Sequence, residues 1–293
     1  MRICELFSRD RPVFSFEFFP PKTDEGERRL LETVRRLKDL GPSFVSVTKT
    51  GVRPAAKTIE ITARIKSEIG IEAMAHTTCA TAGRIEMARI LTRIREAGIE
   101  NVLALRGDRP RDQPAFVGPP DGFSYATELV GFIRDLGFPF CLGGAGYPEK
   151  HQECPSADED LAHLKEKVDA GVEFVITQLF YVNDAYFAFV ERARAAGITV
   201  PIVPGIMPIT NVAQIERIAA LSGARIPPEL QADLDRARGD DAAALAVGIA
   251  HATRQCRDLL RCGAPGIHFY TLNQSPATSA ILRQLRAEGA GTN

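Results

Sequence analysis

Charged stretches of helical period alternate with short apolar runs along this chain, and the switch between them falls repeatedly at a glycine. Gly41, Gly70, Gly98, Gly137, Gly171, Gly197 and Gly263 each follow a helical segment such as RRLKDL or LTRIREA. After them come FVSVT, EAMAHT, NVLAL, FCLGG, FVITQ, PIVPG and GIHFYT, runs rich in β-branched and aromatic residues. Glycine suits such helix ends because the left-handed C-cap conformation carries no Cβ penalty there. With VFSFEFF near the N-terminus, eight strands alternate with helices, which predicts an α/β protein of the (β/α)8 TIM-barrel class.

The predicted strands run from Val13 to Phe19, Phe44 to Thr48, Glu72 to Thr77, Asn101 to Leu105, Phe140 to Gly144, Phe174 to Thr177, Ile202 to Pro204 and Ile267 to Tyr270. Asp24, ahead of GERRLLETVRRLKDL, is the N-cap candidate of the first helix. Between strands seven and eight, helical patterns from Asn211 to Leu221 and from Asp241 to Cys262 flank Pro227, so an extra helical insertion is expected there. Residues 1–293 are expected to form a single barrel domain, since 293 residues at 45% hydrophobic content suit one barrel core.

Charge and cysteine usage narrow the function classes. Thirty-six basic against 37 acidic residues give a net charge of −1, which offers no broad attraction to nucleic acid or to an anionic membrane. No apolar stretch approaches the roughly 20 residues that span a bilayer, and MRICELFSRDRP lacks the apolar core of a signal peptide. The expected location is cytoplasmic. Cys4, Cys79, Cys141, Cys154, Cys256 and Cys262 are far apart in sequence, without C-x-x-C or zinc-finger spacing, and are read as free thiols with no metal site.

Function in such a barrel is sought just after each strand. In FSFEFFPPK the side chains alternate, so Phe14, Phe16 and Phe18 share one face and Ser15 and Glu17 the other. A carboxylate among phenylalanines loses hydration, which favours its protonated form and makes Glu17 the leading general acid. The competing reading is a packing glutamate neutralised by an arginine. Strand four ends in Arg106, Gly107 and Asp108, a set able to meet a polar heterocycle or a phosphate, or to form a salt-bridged turn. The Gly/Pro/Asp-rich stretch from Arg109 to Gly122 then forms a long loop on the same face. Thr48, His76 and Gln178 each close a strand and bring hydrogen-bonding groups to one rim.

GGAGYPEKH does not fit the G-x-G-x-x-G fingerprint, which argues against a Rossmann dinucleotide fold. Its bare backbone could admit a flat cofactor beside Tyr147 and His151, and Asp160, His163 and Lys167 share one side of the following helix. A solvated charged face is the alternative for these three.

Taken together, FSFEFFPPK, FVSVT, AHTTC, ALRGD, GYPEKH, KVDAG with FVITQ, PGIMP and HFYTLN resemble the methylenetetrahydrofolate reductases, in family order, from about Ile3 to Leu285. The resemblance implies a flavoprotein barrel that reduces 5,10-methylenetetrahydrofolate to 5-methyltetrahydrofolate with FAD as cofactor and NADH or NADPH as co-substrate. It implies Glu17 as the acid that protonates folate N10 and opens the ring to an N5 iminium. Asp108 would lie near the flavin and pterin, stabilising that cation. Gln178, Gln214 and Gln274 fall at substrate positions; Thr48, His76, Arg106, Gly107, Asp108, Tyr125, Tyr147, His151, Asp160, His163 and Lys167 fall at FAD positions. The family also implies a homo-oligomer.

The chain departs from that pattern in three places. After strand two the family has T-Y-G, whereas this chain has Thr48, Lys49, Thr50 and Gly51, so a tyrosine contact to flavin is missing. Ile218 replaces an aromatic over the pterin or nicotinamide, and Gln274 replaces a basic residue expected to anchor the folate's glutamate tail. Two other readings remain open on the residues alone. Lys49 could serve a barrel lyase as a Schiff-base amine, or the protein could be a folate- and flavin-binding subunit reduced by a partner protein.

Overall fold

The computed structural model describes residues 1–8, 11–49, 54–108 and 116–289. Thr50, Gly51 and residues 109–115 of the long loop after the fourth strand lie outside them. A 3₁₀ helix, Ile3–Ser8, precedes the strands β1 (Val13–Phe18), β2 (Phe44–Val47), β3 (Ala73–Thr78), β4 (Asn101–Leu105), β5 (Cys141–Gly146), β6 (Phe174–Thr177), β7 (Ile202–Val203), β8 (Gly205–Ile206) and β9 (Gly266–Tyr270). The helices are α1 (Asp24–Lys38), α2 (Ala55–Arg64), α3 (Arg84–Glu96), α4 (Ala126–Asp135), α5 (Ala157–Asp169), α6 (Asn183–Ala195), α7 (Val212–Ser222), α8 (Pro228–Arg236), α9 (Asp241–Arg261) and α10 (Pro276–Ala287). All strand pairs are parallel, in the order β7-β6-β5-β4-β3-β2-β1-β9-β8.

The barrel expectation holds, and its glycine punctuation has the anticipated cause. All seven glycines have positive φ, from 55° at Gly41 to 125° at Gly171. Gly70 illustrates the need: at φ 74° its amide turns back to the Ile65 carbonyl at 3.1 Å and stops the helix before β3. The first helix begins differently from expectation. Thr23 is the N-cap and accepts from the Gly26 amide, while Asp24 occupies the first turn, where its charge complements the helix dipole.

The predicted seventh strand is broken in two. Pro204 has no N–H to donate, so β7 pairs with β6 and β8 pairs with β9, with the proline between. Side chains complete the seam: the Gly205 amide donates to Thr177 Oγ1 at 2.9 Å and the Tyr270 hydroxyl donates to the Thr177 carbonyl at 2.7 Å. Gly205 is required by close approach, because a Cβ there would stand 2.2 Å from that carbonyl. The insertion before β9 is helical as predicted, with α7 capped by Asn211 and α9 by Asp240.

Period-two alternation sorts each strand between two cores. Outward residues such as Phe14, Phe16, Phe18, Val45, Val47, Val102 and Phe269 pack against the helices. Inward, Val13, Phe44, Met74, Leu103, Cys141, Phe174 and Ile176 fill the N-terminal end of the barrel, where Ile3 and Leu6 of the 3₁₀ helix cap them as a plug. Asn101 at the start of β4 holds the plug by accepting from the Ile3 amide at 2.8 Å and donating to the Met1 carbonyl at 3.0 Å.

Candidate active site

Above that apolar floor the inward residues become polar. Register places Ser15 opposite His268 and Glu17 opposite both Ser46 and Tyr270. His268 is fully buried; its Nδ1 lies 2.8 Å from Ser15 Oγ and its Nε2 lies 3.2 Å from Glu17 Oε2. The tautomer with the proton on Nε2 donates to Glu17 and leaves Nδ1 to accept from Ser15. Ser46 Oγ donates to the same carboxylate oxygen at 3.5 Å. His76 Nε2 also stands 3.4 Å from it, yet is buried without a hydrogen-bond partner among the described residues.

Glu17 is therefore the buried inward carboxylate that the alternation predicts, but the expectation that its surroundings favour the protonated form is reversed. Burial works to raise its pKa; the His76 and His268 imidazoles, with the Ser46 hydroxyl, outweigh that and hold the carboxyl below its usual range. Burial in turn pushes the His76 imidazole down, against the attraction of Glu17. The carboxylate's partners are two imidazoles and a hydroxyl rather than an arginine.

Beside this cluster the rim opens into a cavity of about 890 Å³. Its walls include Arg106, Tyr125, Tyr147, His151, Asp160, His163 and Lys167, all of them predicted cofactor positions. Arg106 makes a two-pronged ion pair with Glu153 at 2.6 and 3.0 Å. Tyr147 stands edge-on to His151 with ring centres 4.7 Å apart, and burial pushes its phenol up to about 12. Asp160 accepts from the His151 amide at 3.1 Å and fixes the loop after β5. The Lys167 ammonium, lowered to about 8 by burial against the opposing charge of Asp160, donates to the Ala145 carbonyl at 2.7 Å. Tyr125 is exposed and stacks on His163 at 6.1 Å.

The other predicted cofactor residues sit apart from these walls. Thr48 and His76 are buried, with Thr48 Oγ1 unpartnered among the described residues. Gly107 takes φ 83° with Thr78 packed on it, and Asp108 is exposed at the end of the turn, close enough for its charge to act on Arg106 and Tyr147. The glycines of β5 do not provide a bare surface: a Cβ at Gly143 would meet Phe174 at 2.7 Å, and one at Gly146 would meet Val175 at 2.9 Å. Ala145, between them, is the residue that reaches the cavity. Their smallness accommodates neighbouring side chains of the protein itself.

Of the predicted substrate residues, Gln178 directs its Oε1 to the Leu179 amide at 2.9 Å, which leaves the NH2 to turn toward a ligand. Gln214, in the first turn of α7, accepts from Thr210 Oγ1 at 2.6 Å. Gln274 is exposed and lines a small pocket with Thr210, Tyr270 and Thr271. Lys49 is half-buried, and burial lowers its amine against the pull of Glu86. The strand-end reading does not bring in His268, Ser46 or Tyr270, and it places Ser15 only on the face of Glu17. The alternation that singled out Glu17 on β1, applied to GIHFYT, puts His268 and Tyr270 on the same inward face.

Among the described residues no helix is long and apolar enough to cross a membrane. Comparison with known proteins adds identity to this geometry. The family profile described as methylenetetrahydrofolate reductase matches residues 2–286. Methylenetetrahydrofolate reductase (NADH) 1 of Arabidopsis thaliana is 42% identical over 97% of this chain. The chain spans about half the length of that relative (50%). The 5,10-methylenetetrahydrofolate reductase of Pectobacterium carotovorum subsp. carotovorum is 39% identical over 92% of this chain and 89% of its own. A solved structure of an uncharacterized protein from Clostridium thermocellum, described as binding two copies of 5-methyl-5,6,7,8-tetrahydrofolic acid, shares the fold with a TM-score of 0.67 and 15% identity over 97% of each chain.

Proposed function

We propose that this chain, which belongs to the methylenetetrahydrofolate reductase family, is a single catalytic barrel that converts 5,10-methylenetetrahydrofolate to 5-methyltetrahydrofolate, using FAD and a nicotinamide reductant. One observation carries the reading: a buried carboxylate held by imidazoles lies on the same barrel rim as an open cavity walled by Arg106, His151, His163 and Lys167.

The residues present suit a flavin dinucleotide. A cavity of about 890 Å³ is in the range that holds a large organic ligand. Arg106 and Lys167 would face the diphosphate, with Tyr125, Tyr147, His151 and His163 against the rings and Asp160 fixing the loop that carries them. The unpartnered Thr48 Oγ1 and His76 Nε2 are buried polar atoms that a ligand in the barrel mouth would satisfy. When bound, the flavin would supply hydride transfer.

The chain's own residues would do the remaining work. Glu17 would deliver a proton to folate N10 and so open the ring to the N5 iminium. The Ser15 to His268 hydrogen bond would keep that imidazole aimed at Glu17 Oε2. The exposed Asp108 carboxylate would stabilise the iminium's positive charge. Gln178 would orient the pterin through its free amide NH2, while Gln214 and Gln274 would hold the rest of the folate.

The visible spectrum of the purified protein tests the reading, recorded anaerobically before and after NADH or NADPH. Flavin bands that bleach on addition are expected. Protein that takes up no flavin after incubation with FAD would overturn the proposal. Flavin that neither nucleotide bleaches would move the reduction to a partner protein, a reading that the half-buried Lys49 in place of a tyrosine keeps in view.

A further inference from the structure

Two cysteines separated by most of the first half of the sequence meet at the opposite end of the barrel from the cavity. Cys4 lies in the N-terminal 3₁₀ helix and Cys141 begins β5. The Cys4 amide donates to Cys141 Sγ at 3.3 Å, and the two sulfurs lie within 4.8 Å of each other. Cys141 is fully buried, whereas Cys4 is partly exposed, so an oxidant can reach one sulfur and the second waits beneath it.

Cys4 is also held in place by a polar cluster. Its Sγ donates to Glu173 Oε2 at 3.2 Å. Arg2 pairs with Glu173 Oε2 and Arg134 donates to Glu173 Oε1 at 2.7 Å, so two guanidinium groups hold that carboxylate in place beside Cys4. The same charges argue against a metal: both Glu173 oxygens are engaged by guanidinium groups, which would repel a cation.

We propose that Cys4 and Cys141 form a reversible disulfide that staples the N-terminal plug to the barrel floor. With hydrogen peroxide as oxidant, the Cys4 thiolate attacks a peroxide oxygen, giving Cys4 sulfenic acid and, after proton uptake, water. Cys141 sulfur then displaces the sulfenic hydroxyl, forming the S–S bond and releasing a second water. Two thiols are oxidised, one peroxide is reduced to two waters, and a dithiol reductant reverses the bond. The link closes most of the first half of the chain into one loop, so it constrains the unfolded state strongly.

The test treats the purified full-length protein with hydrogen peroxide and maps its peptides without reduction. A linked pair of peptides carrying Cys4 and Cys141 is expected, together with a melting temperature raised by about 5 °C that dithiothreitol restores. Cys4→Ser should fold, since Cys4 is only partly buried, and should lose both effects. The exposed Cys262 is the internal control for oxidant strength. Oxidation of Cys262 with both Cys4 and Cys141 left as thiols would overturn the proposal. So would linkage of either cysteine to another partner, or stoichiometric zinc that Cys4→Ser removes.

Discussion

At the N-terminal end of the barrel Val13, Phe44, Met74 and Phe174 point inward and close on Ile3 and Leu6; two to four residues further along, the first three of those strands point Ser15, Glu17, Ser46 and His76 into the same interior. Both levels are buried and both obey the same alternation. The floor gains its stability from apolar side chains, each contributing about 1.5–3 kcal/mol on burial. The rim gives up that gain and instead holds a carboxylate between imidazoles, an arrangement whose desolvation is costly and whose use is chemical. Stability and reactivity are thus separated along the barrel axis by about one step of the strand repeat.

The sharpest way to break this comparison is Glu17→Gln. On the proposed chemistry, folate reduction should fall by about 10²–10⁴-fold while flavin reduction by the nicotinamide and the melting temperature hold; stopped-flow measurement of the two half-reactions separates them. Equal loss of both would make Glu17 a structural residue like those of the floor. Phe174→Ala makes the complementary test. Phe174 is fully buried against Phe7, Phe44 and Gly143, so its truncation should cost about 3–5 kcal/mol in denaturant unfolding and leave the KM of the folded fraction unchanged.

A smaller effect belongs to Lys167. Because burial lowers its pKa to about 8 from an ordinary 10.5, the folded state binds fewer protons than the unfolded one between those values. Stability should therefore rise with pH through that window, and the buried charge costs stability below it. An anionic ligand reverses the preference, since the charge present below about 8 attracts it. FAD affinity, measured by fluorescence titration at about pH 7 and pH 9, should weaken roughly tenfold across that range, and Lys167→Met should flatten the change.

The floor and its strands were legible in the sequence because glycine-ended helices and apolar runs are local signals. Glu17 was legible for the same reason, as a charged residue at an inward position of an aromatic strand. Its electrostatics were not, because they depend on His268, which comes 251 positions later and meets Glu17 only when β9 pairs with β1. The β5 glycines misled in the opposite way: their spacing indicates missing side chains but not that Phe174, Val175 and Phe189 occupy the room. Pro204 splitting the seventh strand was visible as a residue, while the Thr177 and Tyr270 contacts that bridge the gap are products of closure.

That bridged gap makes one wall of the barrel unlike the rest. Among the described strands the other neighbours are joined by backbone ladders, β6 to β7 included, but beyond Pro204 the end of β6 is held to β8 and β9 through a threonine hydroxyl and a tyrosine phenol. Amide exchange with solvent should begin along this line, because its bonds can part without unzipping a full strand pair. Tyr270 is packed against His268 at 5.3 Å, so a transient parting of the wall would be felt first by the imidazole that faces Glu17. The least firmly laced stave of the barrel is the one that stands beside its acid.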